Sequence, residues 1–196
     1  MRRYLSITLL FFFALGHASL QANQTEVLLQ ALQQGGHVIY WRHAATDRSL
    51  RDRDFNEMER CELQRNLNAL GREQAQVVGE VFRHHQIPIG IVYSSAFCRN
   101  RDSARIAFGD YQVIPELWNL PAAHANPLSR EQLIEGLRQR LGELPPPGKN
   151  TIIVGHNLNL RSAANVAIDE GEIAVFLPMG EGRFELLGTM SPQQLR

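Results

Sequence analysis

Short apolar runs alternate with segments of helical periodicity along this 196-residue chain, and no other feature constrains its fold as much. His37–Trp41 is bulky and mostly β-branched or aromatic, which reads as a short buried strand. Ile87–Tyr93, with Ile89, Ile91 and Val92, reads as a second strand, Val113-Ile114 as a short third, and Thr151–Val154 as the strongest of the set. The intervening segments predict helices. Gln24–Gln33 carries Val27, Leu28, Ala31 and Leu32 at helical spacing and ends at Gly35-Gly36. A second helix starts within Leu67–Ala75, takes Asn68 as its N-cap and runs to about His85, with Ala75, Val78, Gly79 and Phe82 turned inward. Arg99–Phe108, Ser129–Leu141 and Leu158–Val166 follow, and Ser129-Arg130-Glu131-Gln132 has the capping-box pattern. Ile173–Leu177 and Phe184–Leu187 pair as a hairpin across Gly180-Glu181-Gly182. Strands alternating with helices predict a single α/β domain with a largely parallel sheet.

The first residues break the pattern. Met1-Arg2-Arg3 is basic, Leu5–Leu15 is almost wholly apolar, and small residues follow in Gly16-His17-Ala18 and at Ala22. This is the layout of a secretory signal peptide over residues 1–22, cleaved after Ala18 or Ala22 to leave 23–196 as the domain. The apolar run is short for a permanent membrane span, so the expectation is a periplasmic or secreted protein without stable membrane insertion; an uncleaved anchor is the alternative. Losing Arg2 and Arg3 takes the basic count from 20 to 18 against 20 acids. A chain so near neutrality offers no electrostatic case for nucleic acid or an anionic membrane as partner. Its cations are all arginines except Lys149, and arginine is suited to gripping phosphate or carboxylate in pairs. Two cysteines, Cys61 and Cys98, invite a disulfide in an exported protein, with two separate buried thiols as the alternative.

The chemistry gathers where strands end. The first delivers Arg42-His43, followed by small Ala44-Ala45; the second delivers Ser94-Ser95 and then Arg99; Thr151–Val154 delivers Gly155-His156. Parallel strands joined by helices put their carboxyl ends on one edge, where open sheets bind ligands. Two arginines and two histidines would then share one crevice. A phosphoryl group, with non-bridging oxygens and nearly two negative charges, matches that set. One histidine can attack phosphorus, and the second can donate to its oxygens. No P-loop and no histidine pair with metal-ligand spacing is present, so neither cofactor nor metal is expected. Thr46–Glu62, densely charged and aperiodic, and Asn119–Leu128, with Pro121 and Pro127, read as loops.

Arg42-His43-Ala44 resembles the Arg-His-Gly signature of the histidine phosphatase (phosphoglycerate mutase-like) superfamily. Leu67–Ala75 is similar to its Leu-Thr-x-x-Gly-x-x-Gln-Ala segment, Ser94–Arg99 with Ser103-Ala104 to its Ser-Ser-Pro-x-x-Arg-x-x-x-Thr-Ala motif, and Val154-Gly155-His156 to its second-histidine motif. The resemblance implies a three-layer α/β/α sandwich with a mostly parallel sheet. It implies His43 as the nucleophile of a covalent phosphohistidine, with Arg42, Arg99 and His156 around the phosphate. Cys61–Leu67 and Cys98-Arg99 look like an exported subgroup, in which a bridge would tie the loop after the nucleophile to the second arginine.

Two positions depart from that pattern. Ala44 stands for glycine, which a negative φ would tolerate. Asn119 falls where many members carry the glutamate that protonates the leaving group, and asparagine supplies no proton. Glu116, Glu172 and Asp47 are the carboxylates that could substitute. The expected activity is hydrolysis of a small phosphomonoester, or of a phosphohistidine or acyl phosphate. The alternatives are a phosphate-ester-binding protein with little chemistry, or a structural envelope protein with those basic residues scattered.

Overall fold

A computed structural model of the chain describes residues 24–195; the signal peptide expected over residues 1–22 lies outside them. Six strands form one sheet: β1 (Val38–Arg42), β2 (Ile89–Ser94), β3 (Gln112–Val113), β4 (Asn150–Gly155), β5 (Ile173–Pro178) and β6 (Phe184–Met190), in the order β3-β2-β4-β1-β5-β6. The pairings β1·β4, β2·β4 and β2·β3 are parallel, whereas β5 runs antiparallel to β1 and β6 antiparallel to β5. Helices are α1 (residues 24–33), α2 (Ala69–His84), α3 (Cys98–Phe108), α4 (Arg130–Gly142) and α5 (Asn157–Ala164).

The period-2 alternation of β1 and β4 explains the three layers. Ile39, Trp41, Ile152 and Val154 face one core with Leu28 and Leu32 of α1, Val78 and Phe82 of α2 and Ala104 of α3. Val38, Tyr40 and Ile153 face the other with Leu137 and Leu141 of α4 and Leu160 of α5. Every residue from Val38 to Trp41 is fully buried, as a strand covered on both sides must be. Asn150 closes the lower end of the sheet: its side chain accepts from His37 N and donates to Leu32 O and Pro88 O.

Element boundaries move by small amounts. The third strand is Gln112–Val113, one residue earlier than expected, because Ile114 already turns into the 3-10 segment Pro115–Leu117. The second strand begins at Ile89, with an irregularity at its start, and runs on to Ser94. Helix α5 stops at Ala164, two residues short of expectation, because Asn165 takes the left-handed conformation (φ 55°) that ends a helix. Within the expected loop Asn119–Leu128, Leu120–Ala125 forms 3-10 turns. The N-cap at Asn68, accepting from Gly71 N, and the reciprocal capping box at Ser129 and Gln132 are as the sequence predicts.

Candidate active site

Three strand ends meet level with one another. Arg42 pairs with Gly155 across β1·β4, and Ser94 with Val154 across β2·β4. Hydrogen bonding continues one residue further, His43 N donating to Gly155 O and Ser95 N to Val154 O. The imidazoles of His43 and His156 are therefore neighbours, with ring centroids 5.5 Å apart. Both are buried.

Much of the surrounding sequence holds the backbone that carries His43. Ala44 N donates to Ser103 Oγ, which in turn donates to Arg99 O, and Ala45 N donates to Gln74 Oε1. Helix α2 approaches so closely at Gly71 that a Cβ there would collide with Ala45 O. Ala44 is not among the described residues with positive φ, so the missing glycine costs nothing at that point. His156 is held from β1: its N donates to Tyr40 Oη at 2.8 Å, and the same hydroxyl donates to His156 O at 2.9 Å. Gly155 is small for that reason, since a Cβ would land on the Tyr40 phenol. Burial, opposed by the His156 carbonyl, pushes the Tyr40 phenol well up, so it stays protonated and keeps both bonds.

His43 Nδ1 lies 3.0 Å from Ala44 O. A carbonyl can only accept, so Nδ1 carries the proton and Nε2 presents its lone pair. His156 Nε2 lies 3.0 Å from Ser95 Oγ. Burial, and after it the charge of Arg99, holds both imidazoles well below the usual histidine value of 6.5, with Arg42 and Arg65 adding to the effect. Both rings are neutral at pH 7.

Arg42 donates through Nη1 to Ile168 O, and Nη2 lies 3.7 Å from Glu170 Oε1. Arg99 is fully buried, its guanidinium 4.6 Å from the Phe97 ring centre and donating through Nη1 to Asp52 Oδ1 and Arg65 O. In both arginines Nε is buried without a hydrogen-bond partner among the described residues. An orphaned charged donor in a protein interior is costly, and an oxyanion is its natural complement.

One flank of the site is a loop with little regular structure, and the sequence did not single out what it brings. Residues 46–66 supply Arg48, Asp52 and Arg65. The loop is fastened to the start of α3 by a Cys61–Cys98 disulfide (Cα–Cα 5.7 Å) and by Cys98 N donating to Gln64 Oε1. Glu170, in the turn between α5 and β5, lies within 3.7–3.8 Å of Arg42, Arg48 and Arg65 and accepts from Thr46 Oγ1 at 2.8 Å. Asp52 and Glu170 thus contact the arginines, while the carboxylates chosen from sequence are occupied elsewhere. Glu116 packs on Gly136 and faces Arg140 on α4; Glu172 folds back onto Asp169 N; Asp47 accepts from Ser49. None of these contacts includes His43 or His156. Asn119 is the N-cap residue of the turns at Leu120–Ala125. No group of three His, Cys, Asp or Glu side chains among the described residues could hold a metal ion.

This sheet order, with level strand ends and helices on both faces, defines a phosphoglycerate mutase-like α/β fold. Residues 38–120 match the profile of the histidine phosphatase superfamily (branch 1), a stretch holding Arg42, His43 and Arg99. Solved structures share the fold at low identity. The protein histidine phosphatase SixA complexed with tungstate superposes with a TM-score of 0.58 at 15% identity, over 82% of this chain and 99% of that one. A phosphoserine phosphatase mutant from Entamoeba histolytica in complex with phosphoserine gives 0.53 at 15% identity, over 82% and 99%. A mycobacterial glucosyl-3-phosphoglycerate phosphatase gives 0.50 at 17% identity, over 78% and 97%. No curated protein sequence matches the chain.

Proposed function

We propose that the protein is an exported phosphatase that hydrolyses a small phosphomonoester, phosphohistidine or acyl phosphate through a phosphohistidine on His43. The observation that carries this reading is the oriented imidazole, Nδ1 tied to Ala44 O, beside two buried arginines with orphaned Nε donors. His43 Nε2 attacks phosphorus, forming the N–P bond as the P–O bond to the leaving group breaks. Arg42 and Arg99 hold the non-bridging oxygens. In the tautomer in which His156 Nε2, 3.0 Å from Ser95 Oγ, accepts from that hydroxyl, its Nδ1 proton is free to be donated to one of them. Water then attacks the phosphohistidine; its oxygen joins phosphorus, the N–P bond breaks, and His43 returns with inorganic phosphate released. With Asn119 at the position expected for a general acid, Glu116 on Arg140 and Glu172 on Asp169 N, leaving groups that need little protonation are the favoured substrates. The disulfide supports an oxidising compartment, periplasmic or secreted.

His43→Ala should lower turnover at least about a thousandfold and abolish acid-labile phosphoenzyme after rapid quench with labelled substrate. Turnover surviving in that variant overturns the assignment. Asn119 favours a second reading, a phosphate-ester-binding protein with feeble chemistry. Tight phosphate binding without release of phosphate from a panel of esters, acyl phosphates and phosphohistidine would select it.

A further inference from the structure

The two sulfurs of the Cys61–Cys98 disulfide have unequal surroundings. Cys98 is fully buried, whereas Cys61, in the loop, is partly exposed. A thiol arriving from solvent therefore meets Cys61 Sγ first. Cys98 is the first residue of α3, an 11-residue helix whose N-cap residue, Phe97, contributes no side-chain hydrogen bond. The buried sulfur thus belongs to the residue at the positive end of a helix dipole.

A guanidinium lies on the same bond. Arg101 Nη2 is 3.2 Å from Cys98 Sγ and 3.6 Å from Cys61 Sγ, and it also donates to Met58 O at 3.1 Å. The counter-ion of Arg101 is Glu59, which is exposed to solvent. A neutral disulfide gains little from a cation beside it, and a thiolate gains much more. The surroundings of Cys98 therefore favour that sulfur as the one that leaves when the bond is opened.

The bond also governs what the site receives. Cys61 lies between Asp52 and Arg65, the two residues that accept from Arg99 Nη1. With the bridge open, hydrogen bonds and ion pairs alone fasten this stretch to α3, through Gln64, Asp52 and Arg101.

We infer that the disulfide is a thiol–disulfide exchange site, opened by a dithiol, and that opening it lowers activity by loosening Asp52 and Arg65 from Arg99. The effect on activity rests on the reading of the cradle given above; the exchange chemistry does not. A thiolate of the dithiol attacks Cys61 Sγ. The new S–S bond forms as the bond to Cys98 breaks, and the electron pair leaves on Cys98 Sγ beside Arg101. The second thiolate of the dithiol then attacks its own sulfur in that mixed disulfide and displaces Cys61. Two protons pass from the dithiol to the two cysteines, so the protein is reduced and the dithiol is oxidised to its disulfide.

Exchange is read by mass and needs no turnover. The chain has no other cysteine, so no third thiol competes. Glutathione, a monothiol, followed by an iodoacetamide quench, should leave glutathione on Cys61 and the alkyl group on Cys98. Dithiothreitol should open the bond about tenfold more slowly in Arg101→Gln than in wild type, and Arg101→Lys, which keeps the charge, should retain most of the rate. Wild-type protein held reduced should lose about tenfold in kcat/KM, with far-UV circular dichroism unchanged, and should recover it on reoxidation. Glutathione on Cys98, an opening rate in Arg101→Gln that equals or exceeds wild type, or full activity in the reduced protein each overturns the inference. Turnover surviving in His43→Ala brings down the reading of the cradle instead and leaves the exchange masses as they are.

Discussion

The two sides of the site are built by different means. On one side, His43 and His156 project from the ends of adjacent parallel strands, and the sheet fixes their spacing through its own register. On the other, Asp52 and Arg65 come from a loop with little regular structure, held in place by a disulfide, the Gln64 side chain and the arginine it serves. The sheet side keeps its geometry as long as the core exists. The loop side keeps its geometry only while a few specific links last. Position in the first case is a property of the fold, and in the second a property of crosslinks.

If that distinction is right, the largest effects should come from the sheet side. Gly155→Ala places a methyl on the Tyr40 phenol and so disturbs both hydrogen bonds that hold His156. Overpacking of this kind costs about 1–3 kcal/mol, and turnover should fall about a hundredfold, read by thermal unfolding and phosphate release. Tyr40→Phe, which keeps the volume and removes only the hydroxyl, should reproduce part of the loss. Next come the crosslinks. Replacing Cys61 and Cys98 together by serine should cut kcat/KM about tenfold while leaving far-UV circular dichroism unchanged. The stability lost should stay below the chain-entropy figure of about 4 kcal/mol for a loop of this size. Equal damage to secondary structure from both sets of variants would erase the contrast. Smaller again is Asp52→Asn, which leaves Arg99 a neutral partner in place of its carboxylate. It should change KM by only a few-fold, with the core unaffected, because the asparagine oxygen can still accept from the buried Arg99 guanidinium.

The same division explains what was legible in the sequence. Arg42, His43, Arg99 and His156 could be found because strand ends and the helix starts that follow them are visible as breaks in hydrophobic pattern. The motif segments also proved to have identifiable tasks: Gly71, Gln74 and Ser103 all hold the backbone of Ala44 and Ala45. Asp52, Arg65 and Glu170 left no such trace. They sit in charged, aperiodic stretches where any carboxylate or guanidinium looks like its neighbours, and long-range links decide which one turns inward. Glu172 and Glu170 make the point within a single turn. Two residues apart, one closes on Asp169 N and the other faces Thr46 and Arg42, and the periodicity of a strand or helix is not there to tell them apart. Asn119 raised the right question about the leaving group, but no local pattern could say where a substitute carboxylate would lie.

The least dramatic prediction concerns pH, and it bears on the sheet side alone. His43 and His156 are held well below 6.5 in the folded protein, by burial first and by Arg99 next. Unfolded, both would titrate near 6.5. Above that value neither state binds the protons, and stability from this source is complete. As pH falls through 6.5 toward the lower folded values, the unfolded chain takes up protons that the folded chain refuses, so stability drops. Denaturant midpoints measured between pH 7.5 and 5 should therefore decline. His156→Gln, which removes one of the two titrating rings, should flatten the slope. The serine double variant should retain most of it, because the core and the buried imidazoles survive loss of the crosslink. A slope that vanishes on breaking the disulfide would mean that the loop, not the sheet, keeps these rings dry, and the proposed division of labour would then be reversed.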